Sequence, residues 1–158
     1  MKSIALGMAL AGLTAVTSSA AAAAAPDRAL GRLLDGLEYQ YEVDEDGDYK
    51  MVFDLGDNRT QLAFVRSAVE TYGNHHVREV WSPGYRSPGA QFPAPVANRL
   101  LEHSNSSKLG SWVKQGDTAM FVVKIDADAS ADVLSDAINA AVQSADELEL
   151  ELTSKDEF

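Results

Sequence analysis

Between Tyr39 and Ser82 the chain repeats one pattern, a stretch of β-type residues followed by a turn of Asp, Asn and Gly. Tyr39, Tyr41 and Val43 alternate with Gln40, Glu42 and Asp44, the period of a half-buried strand. Asp46-Gly47 is a hairpin turn signal, and Tyr49 to Leu55 reads as the returning strand. Gly56-Asp57-Asn58 turns again. Gln61 to Tyr72 reads as a longer third strand, Gly73-Asn74 closes it, and His75 to Ser82 reads as a fourth. Connections this short join antiparallel neighbours, because a parallel return needs a crossover of a dozen residues or more. This half of the chain therefore predicts an antiparallel meander.

Helical patterns flank the meander. Asp27 can cap a helix that runs to Leu37, with Leu30, Leu33, Leu34 and Leu37 at helical spacing. Pro83, Pro88, Pro93 and Pro95 fall between Trp81 and Val96, and that stretch reads as an irregular loop, since proline lacks an amide donor. Pro95 opens a second helix, with Val96, Leu100 and Leu101 on its buried side, and the polar run Ser104–Ser107 ends it. Leu109–Lys114 and Thr118–Ile125 form a hairpin around Gln115-Gly116-Asp117. A last helix starts at Ser130, with Leu134, Ile138, Ala141, Ala145, Leu148 and Leu152 on one face. Beyond Asp146 the run Glu147–Leu152 also alternates like a strand. The predicted fold is α+β: an antiparallel meander sheet with three helices packed on it, in the order α-β-β-β(-β)-α-β-β-α.

Lys2, an apolar run from Ile4 to Val16, and alanines ending at Ala25 follow the plan of a secretory signal over residues 1–24. Residues 25–158 then form one domain, long enough for a real core. The compartment implied is the bacterial periplasm or the cell exterior. The chain has no cysteine, so stability rests on the core and not on disulfides. The net charge is −11. Such a surface disfavours polyanionic partners, nucleic acid and anionic lipid alike.

Three motifs invite chemistry. Ser111-Trp112-Val113-Lys114 is a literal S-x-x-K. Acyl transfer by that pair needs both side chains on one face, as a helix supplies; a strand puts positions i and i+3 on opposite faces. Asp44-Glu45-Asp46-Gly47-Asp48 imitates a calcium loop, but its glycine stands fourth and not sixth, and its twelfth position is Leu55. It reads as an acidic hairpin turn. The adjacent His75-His76 cannot chelate one ion from a strand. A small hydrolase or metal-dependent enzyme using His103 with His75 or His76 is the alternative to a non-enzymatic protein. No cofactor motif and no metal site are read. Lys155-Asp156-Glu157-Phe158 reads as a charged tail.

The surface candidate is the proline-rich loop. Trp81, Tyr85, Phe92 and Arg86 combine rigid aromatics with arginine, the composition of interaction hot spots. Two readings stand open: the four residues bind a protein partner or a second copy, or Trp81 and Phe92 anchor the loop to the core.

From Leu100 to Glu149 the run resembles the second half of the YbjN-like family, described as bacterial sensory transduction regulators. The features that carry the likeness are Leu100, Leu101, Asn105, Gly110, Trp112, Phe121, Lys124, Leu134 and Ala145-Asp146, in that order. The N-terminal "LLDGLEYQYEVDEDGDYKMVFDL" is similar to the family's opening helix and acidic hairpin. Between Tyr72 and Val96 the chain departs from the pattern, with a longer loop richer in aromatics. The resemblance implies a secretion-chaperone-like α+β fold without agreed catalytic residues. The function expected is that of an exported binding or regulatory protein, chaperone-like in character.

Overall fold

A computed structural model describes residues 25–158; the export signal read at residues 1–24 lies outside them. Helix α1 spans Arg28–Gly36, and the Asp27 carboxylate caps it by accepting the Ala29 amide at 2.8 Å and the Leu30 amide at 3.3 Å. Five strands follow: β1 Glu42–Val43, β2 Tyr49–Gly56, β3 Arg59–Val65, β4 Glu70–Tyr72 and β5 His75–Arg86. Helix α2 (Ala94–Ser106), strands β6 (Ser111–Gln115) and β7 (Thr118–Asp126), and helix α3 (Ala131–Thr153) complete the chain. The seven strands form one open antiparallel sheet, ordered β1-β2-β3-β5-β7-β6, with β4 paired to β5. The fold is α+β, with the element order predicted from the sequence.

The three described helices pack on one face of the sheet. Alternate strand residues supply that face: Tyr49 and Met51, Ala63 and Val65, Val80, Trp112, then Phe121 and Val123. Leu30 and Leu34 of α1 join them, as does Leu100 of α2. Helix α3 contributes Leu134, Ala137, Ile138, Ala141, Val142, Ala145 and Leu148, a strip of alternating small and large side chains. The small residues bring its backbone close to the sheet. A Cβ on Gly84 would stand 2.9 Å from the Ala145 carbonyl oxygen.

Several sequence expectations need correction. The stretch after Trp81 is irregular only from Ser87 to Pro93, because β5 runs on through Pro83 to Arg86. Proline fits there because the ladder to β3 pairs only Val65 with Val80 and Phe64 with Trp81. Past that point side chains take over: Ser82 Oγ donates to the Leu62 carbonyl at 2.6 Å, and the buried Gln61 amide donates to the Pro83 carbonyl at 2.6 Å. A bulge between Pro83 and Tyr85 then shifts the register. The long third strand is in fact two, β3 and β4. The Arg66 amide still donates to the Glu79 carbonyl at 2.9 Å, but the ladder breaks there because Arg78 takes the Arg66 carbonyl at 2.7 Å and Asp48 takes the Ser67 amide at 2.7 Å. Leu101 is exposed, and His103 takes the buried place on α2. Helix α3 does not weaken at Asp146 but continues to Thr153, where Ser154 in the left-handed region ends it. No described helix is long and apolar enough to cross a membrane.

Candidate interaction face

The face of the sheet away from the helices carries side chains of its own, and the register places them in rows. One row runs Lys50, Phe64, Trp81, Val122, Ser111 across β2, β3, β5, β7 and β6. The next carries Val52 opposite Leu62, and Pro83 opposite Met120 opposite Val113. Between Lys50 and Ser111 at the ends of the first row they make an apolar stripe two residues wide, with Val52 exposed, Leu62, Phe64, Trp81 and Val113 half-buried, and Pro83, Met120 and Val122 buried among them. Charged groups border it on one side, where Lys124 lies 2.7 Å from Glu79 and the Trp81 indole N–H donates to Glu79 at 2.8 Å. Burial works against the Glu79 carboxylate, but Lys124 and the indole outweigh it and hold its pKa below the ordinary value. Arg66 lies over the Trp81 ring at 5.2 Å and pairs with Asp48. On the other side stand Arg86, Thr118 and Gln115.

Two hollows open on this stripe. One, of about 220 Å³, lies among Trp81, Arg66, Phe64 and the acidic turn Asp44–Asp48. The other, of about 230 Å³, lies among Leu62, Pro83, Arg86, Met120 and Phe158. Phe64, Met120 and Gln115 line both. The acidic turn is internally engaged: Asp44 accepts the Asp46 and Asp48 amides at 3.0 and 2.9 Å.

The four residues read as a partner surface divide between two environments. Trp81 and Arg86 belong to the open face. Tyr85 sits beyond the bulge, opposite Ala119, and points to the helix side. There it meets Phe92 edge to face, ring centroids 5.8 Å apart, and both pack against the core cluster.

The remaining motifs resolve by geometry. Ser111 and Lys114 lie three apart on β6, opposite Val122 and Ala119, so their side chains leave opposite faces of the sheet. His103 is buried beside Trp112 and Phe121, rings 5.9 and 5.8 Å away. Its Nδ1 accepts the Trp112 indole N–H at 3.0 Å. An indole nitrogen only donates, so that ring nitrogen carries no proton and the ring is neutral. Burial lowers the His103 pKa, in agreement. His75 and His76 are exposed at the far end of β5, some seven residues from Ser82, the partner of Phe121. At a strand's rise that is about 20 Å, so His103 does not meet either of them. Among the described residues no group of three His, Cys, Asp or Glu side chains could hold a metal ion.

The sequence reading finds Trp81 and Arg86 but passes over Phe64, Met120 and Phe158. A signal for the stripe does exist. Ala119-Met120-Phe121-Val122-Val123 is an unbroken apolar run, which marks a strand apolar on both faces. Phe158 carries no such signal: the segment read as a charged tail ends in a ring only 7% exposed. No family model matches the chain, and no curated protein matches it.

Proposed function

We propose that this protein is a non-enzymatic binding protein that captures a polypeptide partner on the open face of its sheet. The observation that carries the reading is the apolar stripe centred on Trp81, on the face opposite the three described helices. Contiguous apolar surface with a polar rim marks interaction sites in soluble proteins. Trp81 is half-buried, rigidly held by Glu79 and Arg66, and flanked by arginine, as interface anchors are. The likeness to the YbjN-like family and the signal-like N-terminus support an exported, regulatory or chaperone-like setting. The absence of excess positive charge directs the reading to protein and away from nucleic acid.

The test uses the purified protein as bait in periplasmic extract, with captured proteins identified by mass spectrometry. Trp81→Ala should weaken capture by about 30-fold or more, the cost of an aromatic anchor at an interface centre. Val52→Glu, at a position 60% exposed on the stripe's edge, should weaken it without lowering Tm. Glu102→Ala, on the helix side, should leave it unchanged. Capture that survives both stripe variants rules out this face.

A further inference from the structure

The open face is already occupied at one end by the chain itself. Beyond α3, residues Ser154–Phe158 pass the start of β3 and reach the second hollow as a strap. Four contacts seat it, each on a different feature of the strap's chemistry. Arg59 Nη1 donates to the Lys155 carbonyl at 3.0 Å. The Thr60 amide donates to the Asp156 carboxylate at 3.0 Å, with the Thr60 hydroxyl at 3.4 Å from its other oxygen. The Glu157 amide donates to Glu149 Oε1 at 2.6 Å. The Phe158 ring enters the hollow beneath Arg86, whose guanidinium lies 5.2 Å from the ring centroid. The Glu157 side chain takes no part, turning instead toward Lys155 at 3.5 Å.

We infer that this strap is a resident pseudo-ligand, and that the site at Thr60, Arg59 and Arg86 binds a partner segment of the form acidic–any–aromatic in its place. The inference rests on the open face being the docking surface and specifies what docks there. Each contact reads a property another peptide can supply: a carbonyl, a carboxylate two residues before the ring, an amide, and an aromatic side chain. The groups that read them belong to the body of the fold. Arg59 is held by Asp146 through its Nε at 2.7 Å and lies 3.5 Å from Glu149 of α3, contacts that do not involve the strap, so the guanidinium stays in place when the strap leaves. Space of about 230 Å³ beside Phe158 accommodates a larger ring than phenylalanine. The sheet beyond, at Met120 and Phe64, extends the same apolar surface toward Trp81. The strap thus acts as a competitor in cis. A short tether holds it at an effective concentration on the order of millimolar. A partner segment must exceed that competition, which confines capture to ligands that also engage the stripe.

The experiment uses the full chain and a synthetic peptide, Thr-Ser-Lys-Asp-Glu-Phe, capped at both ends and followed by amide chemical shifts. The wild-type protein should bind it weakly. Phe158→Ala should bind at least about tenfold more tightly, with shifts at Leu62, Thr60 and Arg86, because the cis competitor has lost its ring and the hollow is vacated. Asp156→Ala, which loosens the strap but keeps its ring, should shift affinity in the same direction by less. Peptides with Asp or Phe replaced by Ala should not bind, and one with Trp for Phe should. Equal affinity for wild type and Phe158→Ala, or binding to neither, overturns the inference. So does a wild-type dimer that Phe158→Ala abolishes, since the hollow would then belong to a second copy. If Trp81→Ala abolishes capture while Phe158→Ala leaves peptide binding unchanged, the open-face reading stands and the strap is structural. If the peptide binds Phe158→Ala but Trp81→Ala leaves capture intact, the hollow stands and the wider face falls.

Discussion

Tyr85 and Phe92 provide the sharpest separation of a binding role from a structural one. The rings meet edge to face at 5.8 Å with an interplanar angle of 81°, and both lie half-buried against the core. A fully buried aromatic truncated to alanine costs about 3–5 kcal/mol, so a half-buried one should cost about 2 kcal/mol. An edge-to-face pair adds about 0.5–1.5 kcal/mol beyond burial. Tyr85→Ala and Phe92→Ala should each lower stability by about 2 kcal/mol. The double variant should cost about 1 kcal/mol less than the sum, because the pair is lost only once. For a domain of this size each single variant should lower Tm by roughly 6–10 °C. Urea unfolding followed by far-UV circular dichroism measures all four corners of the cycle. Tyr85→Phe, which keeps the ring pair, should stay within about 0.5 kcal/mol of wild type. If both alanine variants lie within about 0.5 kcal/mol of wild type, or if their effects simply add, the rings are not a packed pair and the geometry argued above is wrong. If, in addition, Tyr85→Ala alone abolishes capture without lowering Tm, the partner surface lies at the loop and not on the open face.

Two further perturbations test other parts of the fold. Burial lowers the His103 pKa below its ordinary 6.5, with Arg99 adding to the effect against Glu147 and Glu151, so as pH falls the unfolded chain takes the proton first. The stability tied to His103 is therefore complete above about pH 6.5 and declines as pH falls toward the lower folded value. His103→Gln should remove that part of the slope in urea midpoints between pH 7 and 5; an unchanged slope would refute the neutral-ring assignment. Gly110 has φ +79°, and a Cβ there would stand 2.6 Å from the Phe121 ring and 2.7 Å from the Val122 carbonyl oxygen. Gly110→Ala should cost about 3 kcal/mol, from about 1–2 of backbone strain and the rest from overpacking. Gly116→Ala has φ +60° with nothing within 4 Å, so it should cost only about 1 kcal/mol. Equal costs at the two glycines would show that the crowding at Gly110 is relieved without penalty.

The sequence by itself determined what local chemistry can determine. Asp27 and Ser130 announce helix starts because their side chains satisfy amides two or three residues on, and both caps form. Asp46-Gly47 and Gln115-Gly116-Asp117 fix hairpins because only a residue free to take positive φ closes them, and Gly47 and Gly116 do so at +79° and +60°. The α+β class and the opposed faces of Ser111 and Lys114 follow from the same short-range rules. Tertiary structure decided everything that depends on a distant partner. Pro83 looks like a strand breaker until Ser82 and Gln61 take over the backbone contacts it leaves unmade. Arg66 and Ser67 look like strand residues until Arg78 claims the Arg66 carbonyl and Asp48 the Ser67 amide. Trp81 and Tyr85 look like one aromatic loop, but a single bulge between Pro83 and Tyr85 sends them to opposite faces. Phe158 looks like the end of a charged segment, and only the turn at Ser154, set by the length of α3 against the sheet, carries its ring to the hollow under Arg86. Each of these outcomes turns on a contact between residues remote in sequence or on a one-residue shift of register. Neither leaves a trace in local periodicity, because the side chains that decide them are ordinary ones in their own neighbourhoods.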